Sequence, residues 1–382
     1  MHAFGFVFRS GVLLVLAWAS MSTATTRIEA ARILRREHVD AARASGLAED
    51  ASLDEVIAAL SDPWTRHMPA AEARAFLSEV GGNATVGIGL PELLSIDLDG
   101  TTSFPMVVTP VPGSPAARAR LEPHDLLLAI DGASTQKLPW VDIMRRLRGL
   151  EGTWIRLHIR RGAREFNVAL RRERLPAAGG SVQAAMSDAT RVSVLHLAIG
   201  RVTPATPGAV RAALAKSGDA PVVIDLRNNP GGDLSAALEV IGAFLGETDV
   251  ARLEVAGGFK VLRSTGAAHS SRCLAVLVNE GTASAAELVS TALATRGSVH
   301  VSGMPTMRKC LVHSLIELEG GDAVLFTKGH LQGVGGTSLC DFGAPLHQRV
   351  SWRPSLRGGI SVPATVADKQ FVGAARAGCK LP

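Results

Sequence analysis

Two residues have the types and spacing to do chemistry together. Ser284 lies in the run Gly281-Thr282-Ala283-Ser284-Ala285-Ala286-Glu287, and Lys309 follows twenty-five residues later. A serine hydroxyl is a poor nucleophile at neutral pH and needs a positioned base. A lysine made less basic by burial can be that base without histidine or aspartate. The small residues around Ser284 let a substrate carbonyl approach closely. Upstream, Leu274 to Asn279 reads as an apolar strand; downstream, Leu288, Val289, Ala292 and Leu293 recur at helical spacing. Ser284 therefore opens a helix, whose first N–H groups favour developing negative charge. Taken alone, the same run is also an ordinary strand–turn–helix with a capping serine.

A second run, Asp225-Leu-Arg-Asn-Asn-Pro-Gly-Gly232, follows the apolar stretch from Pro221. A tetrahedral intermediate needs N–H donors about 3 Å from its oxyanion, and glycines let a backbone turn its donors toward a substrate. Without Ser284 and Lys309 this would be a Pro-Gly-Gly turn with no ligand.

Together these runs resemble the C-terminal processing peptidases, or tail-specific proteases, whose segments read G-[ST]-A-S-A-S-E and DLRxNPGG with a lysine twenty-five residues beyond the serine. The resemblance extends from about Leu60 to Val362. It implies a Ser–Lys dyad: Ser284 attacks a peptide carbonyl to form an acyl-enzyme, and neutral Lys309 takes its proton, with no metal or organic cofactor. It also implies that the oxyanion donors are a glycine of the pair, Gly231 in preference to Gly232, and the Ala285 N–H. Asp225 and Arg227 are expected to organise the turn, and Glu287 to support the helix terminus or the site from behind.

Two departures concern the lysine. The family carries glycines on both sides of it, where this chain has Arg308 and Cys310. The family's glutamine four residues on is replaced by His313. Four residues along a strand return to the same face, so His313 can neighbour Lys309 and accept a hydrogen bond as neutral imidazole; it can equally be a solvent-facing strand residue. In the catalytic role, and at the ordinary histidine value, activity is expected to fall as pH drops through about 6.5.

Composition bounds the class. Residues 1–24 read as a secretory signal, with Arg9, an apolar run from Gly11 to Ala19 and a small-residue junction at Ala24; an uncleaved N-terminal anchor is the alternative. Net charge is +5, and removing the signal takes away one arginine and no acid. Beyond it no apolar run is long enough to cross a membrane, so the mature protein is expected to be exported, periplasmic or secreted. Aromatics are 4% and tyrosine is absent, which argues against stacking on nucleic acid. Four cysteines (Cys273, Cys310, Cys340, Cys379) in an exported chain allow two disulfides in three pairings. No Cys-x-x-Cys spacing supports a metal site. A bridge from Cys310 to Cys340 would fix the segment beside Lys309, but the sequence leaves the pairing open.

The elements that must position these residues follow. Residues 25–81 read as a helical N-terminal segment: an amphipathic stretch from Arg27 to Leu47, a second helix from Ser52 to Leu60 opened by a Ser52/Glu55 capping box, and a third from Ala70 to Val80. Between them Asp62-Pro-Trp-Thr-Arg-His-Met68 resembles the family's DPYTRYL element. Residues 82–173 resemble a PDZ domain. Gly87-Ile88-Gly89-Leu90 would present backbone N–H groups to a terminal carboxylate while the peptide adds as a strand at a sheet edge; a PDZ-like spacer is the other use of such a fold. Arg120 and His124 stand where PDZ patterns carry glycine.

Residues 174–382 alternate strands with helices, which implies an α/β, mostly parallel-sheet peptidase core with helices on both faces and a C-terminal extension. Both chemical runs then sit at strand C-terminal ends, where such folds gather ligands. The expectation is an exported serine endopeptidase cutting proteins or peptides selected partly by free, apolar C-termini. The alternative is a catalytically weak or inactive relative that binds peptides as a periplasmic PDZ scaffold.

Overall fold

The computed structural model describes residues 25–349 apart from 63, 81–84, 91–92, 95–103, 108–109, 112, 137, 139, 176–181, 188–192, 270–272, 297–298, 334–338, 340–343, 345 and 347. The expected signal segment, Cys340, Cys379 and the expected linker at 176–181 lie outside the described residues.

Helix α1 (Arg27–Glu37) starts at Thr26, whose hydroxyl accepts from the Glu29 N–H. It stops ten residues before the amphipathic pattern does. His38 adopts extended backbone, and its ring leaves the helix to bind the turn at Asp62 and Thr65, 3.1 and 3.0 Å away. Helix α2 (Leu53–Leu60) carries the expected capping box, with Ser52 N–H to Glu55 at 2.7 Å and Glu55 N–H to the Ser52 hydroxyl at 3.3 Å. A short strand β1 (Arg66–Met68) and helix α3 (Ala70–Val80) complete this segment. Leu34, Val56 and Leu60 pack against Val324 and Phe326, which seats the helices on the sheet below.

The next region begins with β2 (Val86–Gly87), β3 (Leu93–Leu94), β4 (Met106–Val107) and the single turn α4 (Pro115–Arg118). It continues through β5 (Leu126–Ile130), β6 (Ala133–Ser134), helix α5 (Trp140–Leu147), β7 (Trp154–Arg161), β8 (Arg164–Arg171) and β9 (Glu173–Arg174). Its sheet runs β3-β4-β5-β7-β8, with β6 on β5, around a core that includes Ile88, Leu127, Ile130, Ile143 and Leu157. β2 and β9 pair antiparallel, so the chain enters and leaves through one ribbon. Arg120 and His124 have φ of 60° and 73°. The usual glycines there therefore mark left-handed positions, which this chain fills with side chains at a backbone cost.

The last region holds β10 (Val182–Ser187), β11 (Val194–Ile199), α6 (Thr206–Ser217), β12 (Val222–Asp225), α7 (Leu234–Leu245), β13 (Asp249–Val255) and β14 (Gly258–Arg263). β15 (Leu274–Val278), α8 (Ala285–Ala294), β16 (Val299–Gly303), β17 (Leu311–Glu317), β18 (Ala323–Gly333) and β19 (Gln348–Arg349) follow. One sheet, β10-β11-β12-β15-β16-β19, is parallel except at β10–β11. β15 is buried at every position, as an apolar run covered on both faces requires. The crossovers step in one direction across this sheet, and α6, α7 and α8 pack side by side in that order. A second, antiparallel sheet, β1-β18-β13-β14 with β17 on β18, lies against α8 through β13 and β18. Among the described residues no helix is long and apolar enough to cross a membrane.

Candidate active site

The site is built where β12 and β15, adjacent and parallel, end together. Leu226 N–H bonds the Leu277 carbonyl at 2.9 Å, the last rung before the chains turn. Asn228 and Asn279 then exchange bonds: the Asn228 N–H donates to Asn279 Oδ1, and Asn279 Nδ2 donates to Asn228 Oδ1, both at 2.8 Å. The Thr282 hydroxyl donates to the Leu226 carbonyl at 2.8 Å, and the Ala283 N–H to the Asn229 carbonyl at 2.9 Å. Asp225 and Arg227 form a two-point ion pair, 2.9 and 2.6 Å, at the base of the turn, the organising part expected of them.

Ser284 is nearly buried, at 6% exposure, and has φ 53° and ψ −120°. A non-glycine residue there costs about 1–3 kcal/mol and is held only because its surroundings over-determine it. Gly231 explains the close approach. At φ 93°, a Cβ on it would lie 2.7 Å from the Ala283 carbonyl oxygen, 2.8 Å from the Ala285 nitrogen and 2.9 Å from Ser284 Cβ. The backbone of Gly231 thus touches the nucleophile and the first N–H of α8. Its own N–H donates to Asn229 Oδ1 at 2.9 Å, and Asn229 is anchored through Nδ2 to the Ile199 carbonyl at 2.8 Å.

Glu287 joins the serine to the lysine segment. Fully buried one turn into α8, its carboxylate accepts from the Ser284 N–H at 2.8 Å, the Thr306 hydroxyl at 2.5 Å, the Arg308 N–H at 2.7 Å and the Lys309 N–H at 2.8 Å. Burial pushes this carboxyl above its ordinary range, and the four donors oppose that rise. The Met307 N–H bonds the Thr282 carbonyl at 2.9 Å, a second stitch between the same loops. Cys310 and Cys273 are both disulfide-bonded.

Lys309 and His313 meet on one aromatic ring. Lys309 Nζ is 5.9 Å from the Trp64 ring centroid, and the His313 ring is 5.7 Å from it at 46°. The period-two argument is not the reason, because Lys309 precedes β17 and the β17–β18 register shifts between Val312 and His313. His313 Nε2 is buried and has no hydrogen-bond partner. Burial, with the nearby Lys309 charge second, pushes the imidazole down to about 3. This corrects the sequence expectation of an acid limb near pH 6.5, which took an ordinary histidine value for a desolvated ring.

Trp64 and Asp62 carry no chemistry in the sequence pattern, and their part here comes from long-range packing. Asp62 Oδ2 accepts from Thr65 and Thr327, each at 2.6 Å, and lies 3.1 Å from His38 Nε2. Asp62 Oδ1 takes the Trp64 N–H at 3.0 Å. Burial alone would raise this carboxyl, but those bonds outweigh it and hold it well below the carboxylate range.

Gly87, Ile88, Gly89 and Leu90 stand apart from the Ser284 loop: Gly87 ends β2 in the ribbon with β9, and the other three follow it outside any strand, against the core of the neighbouring sheet. Ile88 and Leu90 point into its core. The Ile88 and Gly89 carbonyls accept from Ala116 and Val111 N–H groups, both at 2.8 Å. Gly89, at φ 87°, packs so closely on Ser114 that a Cβ would overlap its side chain. Among the described residues, a link between this region and the Ser284 loop is His124 Nε2, 2.8 Å from Glu280 Oε2 on the turn after β15.

Residues 205–342 match Peptidase family S41. The chain is 32% identical over 282 residues to a carboxyl-terminal-processing protease of Synechocystis sp., covering 72% of this chain and 65% of that one. It is 28% identical over 326 residues to a probable CtpA-like serine protease of Staphylococcus haemolyticus, covering 81% of this chain and 63% of that one. The chain thus spans somewhat under two thirds of the length of these relatives. Its fold superimposes on a photosystem II D1 C-terminal processing protease with a TM-score of 0.71 at 23% identity, covering 88% of this chain and 93% of the other. With the Ser284 loop and the Asp225–Gly232 turn laced together as described, the chain belongs to the C-terminal processing peptidases of family S41.

Proposed function

We propose that this chain is an exported serine endopeptidase of the Ser–Lys type that cleaves proteins or peptides chosen partly through apolar C-termini. One observation carries the reading: the buried Glu287 carboxylate holds the Ser284 N–H and the Lys309 N–H at the same 2.8 Å. It binds the two segments that must cooperate into one knot, supported by the Gly231 backbone against Ser284 and Ala285.

The reaction proceeds in two halves. Ser284 Oγ bonds the peptide carbonyl carbon as its proton passes to neutral Lys309, and the carbonyl electron pair becomes an oxyanion. The Ala285 N–H at the start of α8 faces that charge, aided by the helix terminus. Gly231 joins it by exchanging Asn229 Oδ1 for the oxyanion. Lys309 returns the proton to the leaving amine, then deprotonates the water that releases the acyl group. Neutral His313 is placed to accept a hydrogen bond from Lys309 during the reaction, and its buried Nε2, which has no partner in the resting structure, supports that part.

Residues 82–173 serve as a PDZ domain inserted between the helical segment (25–81) and the core (174–382), with residues 1–24 the export signal. Among the described residues β3 ends its sheet and begins three residues after Leu90, which suits a C-terminal peptide adding beside it as a further strand.

The test is labelling with a serine-directed fluorophosphonate together with cleavage of an unfolded protein bearing an apolar tail. Wild type is expected to label at Ser284 and to cleave, while Ser284→Ala and Lys309→Ala do neither. Tail binding by all three without cleavage by any would replace this reading with the peptide-binding scaffold.

A further inference from the structure

Trp64 lies in the Asp62–Met68 run, to which the sequence pattern assigns no catalytic part, yet it is the ring shared by Lys309 and His313. Its backbone has little freedom. The Trp64 N–H is held by Asp62, and Asp62 is bolted to β18 through Thr327 and to the end of α1 through His38. The Thr327 N–H also bonds the Thr65 hydroxyl at 3.2 Å, closing the turn on both sides of Trp64. A ring so anchored has a set position over the lysine tip.

An indole face attracts a cation within about 6 Å of its centroid, and Lys309 Nζ stands at 5.9 Å. In the reaction above, Lys309 begins uncharged and becomes ammonium as it takes the serine proton. The ring therefore interacts more strongly with the state being formed than with the starting one, which is the condition for lowering a barrier. Glu287 binds the backbone N–H groups of the lysine segment, the Asp62 carboxylate adds negative charge on the His313 side, and His313 is uncharged. Arg308 next in sequence, and Arg66 and His38 by His313, add positive charge or none.

We propose that Trp64, fixed by Asp62, is a positioning residue for the reaction: its indole face orients the Lys309 amine toward Ser284 and stabilises the ammonium formed as the hydroxyl attacks. The inference rests on the Ser–Lys reading above.

The test uses the full chain and a fluorophosphonate. The Ser284 Oγ–P bond forms, the P–F bond breaks with loss of fluoride, and the serine proton goes to Lys309. Trp64→Leu keeps apolar bulk without a ring, Trp64→Phe keeps a ring, and tri-fluorinated tryptophan placed at position 64 alone keeps shape while emptying the π face. The leucine and fluorinated forms are expected to lower the maximal labelling rate by about two- to thirtyfold with half-saturation unchanged. Phenylalanine should retain most of the rate, and the fluorinated form the wild-type Tm. Should the leucine variant not fold, the fluorinated form still decides. A fluorinated chain that labels as fast as wild type, or faster, overturns the inference while the Ser–Lys reading stands. Wild type that does not label, or Lys309→Ala that labels fully, removes the Ser–Lys reading and this inference with it.

Discussion

Glu287 and His313 are buried titratable side chains with opposite circumstances. Glu287 has four donors within 2.5–2.8 Å, whereas His313 Nε2 has no partner. Replacing Glu287 by glutamine sets an amide NH2 among groups that themselves donate, and leaves at least one of them unpaired. That costs on the order of 2 kcal/mol. Glu287→Gln is therefore expected to lower Tm and to abolish Ser284 labelling, because the tie between Ser284 and Lys309 is lost; wild-type labelling would show that the tie is dispensable. For His313 the sign runs the other way from a stabilised cation. The unfolded ring takes a proton near 6.5 and the folded ring near 3. Its contribution to stability is present above 6.5 and is lost as pH falls from 6.5 toward 3. Urea unfolding at pH 7 and pH 5 should show wild type losing more stability than His313→Gln, while the two share the same activity profile around pH 6.5.

At the scale of elements, the loops after β12 and β15 behave as one unit because the Asn228–Asn279 pair, the Thr282 hydroxyl and the Ala283 N–H all bond across from one loop to the other. Gly231 is the point of closest contact. Gly231→Ala would meet the Ala283 oxygen, the Ala285 nitrogen and Ser284 Cβ at 2.7–2.9 Å and require φ 93° of an alanine. Labelling should fall below detection, with roughly 1–3 kcal/mol of stability lost to strain; retention of either would mean that the loop shifts without consequence. The turn at Asp62 is a second such unit. Its depressed carboxyl contributes stability above the unfolded value of 3.8, lost as pH falls below it. At neutral pH, Asp62→Asn should cost on the order of 2 kcal/mol and loosen the helical segment from β18, measurable as faster amide exchange in α1 and α2.

At the scale of the whole molecule, the connections among the described residues that bear on the site include the disulfides at Cys273 and Cys310, the β2–β9 ribbon, and the His124–Glu280 contact. Cys273 adjoins β15 and Cys310 adjoins Lys309, so reduction should act on the site directly. Treatment with a thiol reductant is expected to cost about 2–5 kcal/mol of stability and to slow labelling, as a denaturant titration with parallel probe kinetics would show. The His124–Glu280 pair is half exposed and worth at most about 1 kcal/mol. Its interest is its place, between the inserted region and the turn leading to Ser284.

Several helices were legible from residue order, because helix α3 spans the residues predicted for it, Ala70–Val80, and α2 begins at a capping box written in four letters. So were the strand-end loops, since parallel order and strand-to-loop delivery follow from apolar runs alternating with helical ones. These are local properties: a cap, a period or a turn acts over a few residues. The early end of α1 at His38, the union of Lys309 and His313 on Trp64, and the suppressed basicity of His313 were not legible. Each depends on residues about 25 to 270 positions apart meeting in a desolvated space. Burial, which governs both the charge of a side chain and its partner, is a property of the packed chain and has no fixed expression in sequence spacing.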